Sequence, residues 1–190
     1  MGQRVHYGWV VAAIAFVVLM VGAGVRATPG VLIVPLEREF GWSTATISLS
    51  IAVTIFLYGL CGPFAAAIFE RFGLRRSVCG ALLLLSVGVT ATTRMQEPWQ
   101  MTGLWGVLVG TGTGMIAMVF GATVANRWFV KSRGLVLGML TASSATGQLV
   151  FLPALAAIST AYGWRTVAYA VAAVALLLIP FAALLLRNYP

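Results

Sequence analysis

Apolar positions so dominate this chain that the informative signal is where polar ones interrupt them. Six long apolar runs, about 9–36, 44–69, 74–93, 99–125, 134–159 and 165–186, each reach the roughly 20 residues an α-helix needs to cross a bilayer core. The stretches between them carry turn chemistry. In Glu39-Phe-Gly-Trp-Ser-Thr44, Gly41 can close the first helix and Ser43 or Thr44 can cap the second. Glu97-Pro-Trp99 does the same between the third and fourth runs. The pattern predicts an all-α membrane protein of six transmembrane helices, with Trp9, Trp99, Trp128 and Trp164 near span ends as an aromatic belt.

Laid on itself with a shift of ninety residues, the chain shows an internal repeat. Phe72-Gly73-Leu74-Arg75, after the second run, returns as Tyr162-Gly163-Trp164-Arg165 after the fifth. The unit is three helices, about 9–93 and then 99–186. Because three is odd, the second copy must cross the membrane upside down relative to the first, which predicts two inverted three-helix repeats.

Composition then removes alternatives. Hydrophobic residues are 61% and charged residues 8%, against roughly 25% charged in soluble domains, so no soluble domain fits. The net charge of +8 does not indicate nucleic acid, because the basic residues stand singly or in short groups between spans. With the N-terminus inside, Arg4, Arg71, Arg75, Arg76, Arg127, Lys131, Arg133 and Arg187 fall on the cytoplasmic side, and Arg38, Arg94 and Arg165 outside, as the positive-inside rule requires. The expected location is the inner (plasma) membrane with both termini cytoplasmic. The first run exceeds the apolar core of a secretory signal, and His6 breaks the myristoylation pattern at Gly2. Cys61 and Cys79 lie in or beside spans and read as packing residues. No metal cluster, cofactor loop, Ser/His pair or aspartate pair is present, so the chain does not read as an enzyme and no cofactor is expected.

Some positions stand out within or beside the spans. Gly106, Gly110 and Gly114 repeat the small-residue spacing that lets helices approach closely. Gln148, in the fifth span, has an amide that needs a partner or water and is a candidate for a cavity wall. Arg26 is the only basic residue inside a span, about four residues or roughly 6 Å past its midpoint. It can snorkel to the outer mouth, it can meet water where the helix bends at Pro29-Gly30, or it can bind an anion in a central cavity. No carboxylate falls inside a span, since Glu37, Glu39, Glu70 and Glu97 sit at ends and there is no Asp. A membrane-embedded proton carrier is therefore missing from these residues.

The densest charge is Glu70-Arg71 with Arg75-Arg76, around Gly73, between the second and third spans. A carboxylate at a helix C-terminus is unfavourable unless a cation compensates, and the three arginines are near. Alternatively the group is a solvated, positive-inside loop. The stretch Ala66 to Arg76, AAIFERFGLRR, resembles the loop signature of the major facilitator superfamily, Gly-x-Leu-Ala-Asp-Arg-x-Gly-Arg-Arg. Arg71, Gly73 and Arg75 fit it as they stand, while Ala66, Phe69, Glu70 and Leu74 depart from it. YGWVV at Tyr7, PLEREFGWS from Pro35, WFVKSRGLVLGM from Trp128 and YGWR at Tyr162 resemble the oxalate/formate and monocarboxylate antiporter-like branch.

The resemblance implies half of a twelve-helix facilitator fold, its N-terminal six-helix bundle over residues 1–190. The C-terminal six-helix half is then to be supplied by further sequence or by a second copy. It also implies alternating access, a small organic anion as substrate, Arg26 as a substrate contact, and a gating role for Glu70, Arg71, Gly73 and Arg75. The arginine that opens the fourth-span motif in that family is Gly106 here, so its proton-relay role is not carried over. A six-helix membrane scaffold or sensor without transport is the rival from another functional class.

Overall fold

The computed structural model describes residues 2–186, with side chains from Tyr7 onward. The side chains of Arg4 and His6, and all of Arg187 and the Pro190 end, lie outside what is described. All regular structure among the described residues is helical, and six helices are long and apolar enough to span a membrane. They are α1 (Gly2–Phe40), α2 (Thr44–Phe72), α3 (Leu74–Thr92), α4 (Pro98–Trp128), α5 (Arg133–Tyr162) and α6 (Trp164–Leu185).

Local chemistry sets the boundaries. Gly41 ends α1 at φ 68°, its N–H donating to the Glu37 carbonyl at 3.0 Å, and the Ser43 hydroxyl caps α2 by accepting from the Thr46 N–H. Glu97 and Gln100 form a reciprocal capping box at the start of α4, with Pro98 in the first turn where its missing N–H is not needed.

Gly73 and Gly163 are the most informative turns. Each alone joins two helices, at φ 83°, ψ 151° and φ 86°, ψ 165°, with its N–H on the carbonyl four residues back, Phe69 at 3.1 Å and Ser159 at 3.0 Å. A side chain at such φ would be strained, so glycine is required at both. The two turns that match at a shift of ninety residues therefore share one backbone conformation.

Packing obeys the same symmetry. The most extensive contacts of α1 are with α5, those of α4 with α2, and those of α3 with α6. Exchanging the two three-helix units turns the first pair into the second and maps the third onto itself, as an inverted repeat must. The core runs along α1, α3, α4 and α6, where Val11, Val18, Leu82, Leu85, Trp105, Phe120 and Val171 are buried. At the end of the bundle carrying Arg71 to Arg76, here the basic end, the Tyr7 hydroxyl donates to the Leu185 carbonyl at 2.9 Å and ties α1 to α6.

The opposite, far end is closed by a clasp that the belt reading of Trp164 did not foresee. Trp164 is 4% exposed and gives its indole N–H to Glu39 at 2.5 Å, while Arg165 pairs with the same carboxylate at 2.6 Å. The Arg165 guanidinium also lies 4.6 Å from the Trp164 ring centroid and donates to the Thr93 carbonyl at 3.4 Å. Three junctions, at the ends of α1, α3 and α5, are thus held by one arginine.

The fourth span departs most from a simple rod. It is α-helical over Pro98–Met101, π-helical over Thr102–Val109, α-helical over Gly110–Met115, broken at Ile116 and Ala117, and α-helical again over Met118–Trp128. No proline lies near the break. Gly110, Gly112 and Gly114 leave the backbone just before it with little stiffness, and the hydroxyls of Thr111 and Thr113 bond back to carbonyls of the preceding turn, which bends helices.

Candidate functional site

The break in α4 sits against α1 at mid-span. A Cβ on Gly22 would lie 3.0 Å from Ile116 Cδ1, and one turn further along the same face of α1 stands Arg26. Its guanidinium carbon is 4.5 Å from the ring centroid of Tyr58 on α2, a cation–π geometry. Tyr58 is held in turn by α4, since a Cβ on Gly114 would come within 3.2 Å of the Tyr58 Cα. Arg26, Tyr58 and the broken helix therefore converge.

Arg26 is half-buried and makes no ion pair or hydrogen bond among the described residues. Its five N–H donors face only a π cloud, which is worth roughly 0.5–2 kcal/mol, whereas an arginine at a span centre costs about 2.5–3.5 kcal/mol on insertion. Nearby, Pro29 cannot donate to the Val25 carbonyl, and the Thr28 hydroxyl bonds the Gly24 carbonyl at 2.9 Å, so the helix ladder of α1 is loosened next to Arg26.

The glycines of α4 make the close approach. A Cβ would meet Val53 Cγ1 at 3.0 Å from Gly106, the Thr54 Cα at 3.1 Å from Gly110, and Cys61 Cβ at 2.7 Å from Gly114. Two hydrogen bonds run across the same seam: Ser50 with Thr102 at 2.9 Å, and the Thr54 hydroxyl to the Trp105 carbonyl at 3.3 Å.

Gln148 lies on α5 between the two points where that helix presses on α1. Gly147 abuts the Met20 backbone, and Phe151 Cγ is 2.6 Å from where a Cβ on Gly24 would be. Gln148 itself is exposed and makes no hydrogen bond among the described residues. Residue composition alone did not single out Tyr58, but the repeat could have: it lies ninety positions before Gln148.

At the basic end, Glu70, Arg71 and Arg75 are exposed around Gly73. Arg71 lies 5.5 Å from the centroid of Phe72. Glu70 shares this loop with Arg71, Arg75 and Arg76, the cations that the sequence offers it as partners. Glu70 sits in the last turn of α2, and Gly73 caps that helix and turns the chain into α3.

The sequence from residue 14 to 190 matches the Major Facilitator Superfamily. The chain belongs to the major facilitator superfamily. It is 30% identical over 179 residues to monocarboxylate transporter 7 of Homo sapiens, covering 94% of this chain and 34% of that protein. It is 28% identical over 181 residues to monocarboxylate transporter 11 of Mus musculus, covering 94% of this chain and 40% of that one. The fold is similar to a proton:xylose symporter of the same superfamily, XylE, solved bound to 6-bromo-6-deoxy-D-glucose, with a TM-score of 0.83 at 15% identity over 97% of this chain and 46% of that one. The chain thus spans less than half the length of these proteins. Six helices in two inverted repeats are half of the facilitator fold, and these relatives are transporters rather than enzymes.

Proposed function

We propose that this facilitator moves small organic anions of the monocarboxylate or dicarboxylate type by secondary, alternating-access transport, with Arg26 as the anion anchor. The observation that carries the proposal is a half-buried guanidinium at mid-span with no acid or hydrogen-bond acceptor among the described residues, held by Tyr58 beside a broken helix. An anionic substrate supplies the missing acceptor, and a planar carboxylate matches the two-pronged guanidinium. The N-terminus of the α4 segment Met118–Trp128 adds unpaired backbone N–H groups and a partial positive charge beside Gly22. Gln148 contributes an adjustable amide from α5. The monocarboxylate transporters among the relatives agree with this substrate class.

The remaining wall comes from a C-terminal six-helix half or from a second copy. Supporting this, α2 and α5 are the least buried helices, with Phe56 and Phe64 of α2 and Leu149 of α5 left open. Glu70 engages that second bundle and biases the cycle through the loop with Arg71, Gly73 and Arg75. The basic end is cytoplasmic by the positive-inside rule, in a plasma membrane. The test is binding of labelled oxalate, formate and lactate to the protein in proteoliposomes. Arg26→Ala is expected to weaken binding by about 1.5–3 kcal/mol, roughly ten- to a hundredfold, and Arg26→Lys to recover only part. Full carboxylate binding by a folded Arg26→Ala protein refutes the anchor.

A further inference from the structure

We propose that Arg38 and Ser159 form a second anion-docking site at the far end, one that receives the anion before it reaches Arg26; this rests on the anion-transport reading above. A cleft of about 650 Å³ opens there between α1 and the junction of α5 with α6, and Arg38, Ser159, Val34 and Trp164 are among its walls. Arg38 is exposed and makes no ion pair or hydrogen bond among the described residues, although glutamates flank it in sequence.

Other partners explain why those glutamates do not neutralise it, even though Glu39 shares the cleft wall with Arg38. Glu37 accepts the Thr44 hydroxyl, and Glu39 is held by Arg165 at 2.6 Å and by the Trp164 indole at 2.5 Å. The clasp cancels the Glu39 charge against Arg165 and leaves the cleft with the positive charge of Arg38.

Its donor set suits a small carboxylate. Arg38 offers five N–H groups. The Ser159 hydroxyl has no partner among the described residues, whereas the Thr160 hydroxyl beside it already donates to the Ala156 carbonyl at 2.9 Å. Val31, Val34, Pro35 and Ala156 give the wall an apolar part that accommodates a short alkyl tail. Arg38 lies twelve residues beyond Arg26, about 18 Å along α1, too far for one small anion to touch both. The two cations thus act in sequence: the outer raises the local anion concentration at the mouth, and the inner holds the anion at mid-span.

The test is uptake of labelled lactate, oxalate and formate by the protein in proteoliposomes, with entry from the far face and from the basic face measured separately. Arg38→Gln is expected to raise the ratio of the far-face KM to the basic-face KM about three- to tenfold at low salt, and the difference shrinks as ionic strength rises. Arg38→Lys keeps most of the wild-type ratio, because steering needs the charge more than the planar fork. An Arg38→Gln ratio equal to wild type overturns the outer site. If Arg26→Ala still weakens carboxylate binding roughly ten- to a hundredfold in that case, the anchor survives and only the outer site falls. If the wild-type protein takes up none of the three anions, the anion reading falls and the outer site with it.

Discussion

Adding one methyl group at Gly114 tests the arrangement of α4 against α2 most directly. An alanine Cβ there would lie 2.7 Å from Cys61 Cβ and 3.2 Å from both the Cα and the carbonyl oxygen of Tyr58. Two of these three atoms are backbone and the third is a Cβ fixed to it, so no side-chain rotation relieves the contact and the helices must separate. Overpacking of this kind costs typically about 1–3 kcal/mol. Against it stands the helix-propensity gain of glycine to alanine, roughly 0.5–1 kcal/mol. Gly59, on α2, provides the control, since a Cβ there meets nothing within 4 Å and only the propensity gain applies. Gly114→Ala should therefore be less stable than Gly59→Ala by about 1–3 kcal/mol. That corresponds to roughly 2–12 °C in Tm for a domain of this size. Thermal unfolding of both variants in the same lipid or detergent provides the comparison. Equal melting temperatures would refute the close approach, and with it the account of how Tyr58 is held over Arg26.

At the far end, Glu39→Ala should cost more than Arg165→Ala. The first leaves the buried Trp164 indole without its acceptor, at about 1–3 kcal/mol, whereas the half-exposed ion pair is worth about 1 kcal/mol or less; thermal unfolding should rank the two, and the opposite order would contradict the clasp. Glu70→Gln should alter inward and outward accessibility to a thiol probe while changing carboxylate affinity by less than about threefold, a shift under about 0.7 kcal/mol. Unchanged accessibility and transport would return the loop to a topology signal.

Much of the architecture was legible because membrane physics reads one-dimensional patterns. Helices must satisfy their own backbone in lipid, so uninterrupted apolar length is enough to locate six spans, and glycine at a forced positive φ marks the turns at Gly73 and Gly163. The repeat was readable for the same reason, since equal turns need equal residues. The spacing of Gly106, Gly110 and Gly114 told of a close approach but not to which helix. The isolated position of Arg26 inside a span announced an unmet charge.

What only the tertiary structure decided was partnership. Tyr58 under Arg26, and Glu39 on Arg165 and Trp164, join positions through the helix arrangement. Trp164 looks like an interfacial residue in sequence because it stands at a span end, yet packing drew it inward onto a carboxylate 125 residues away. The break in α4 was equally hidden, because Ile116 and Ala117 are good apolar residues, and what interrupts the helix there is how the glycine-rich turn before them fits against α1 and α2. Hydrophobic length is a property each segment carries alone; which charges meet, and where a helix breaks, depends on neighbours that the chain brings together only when it folds.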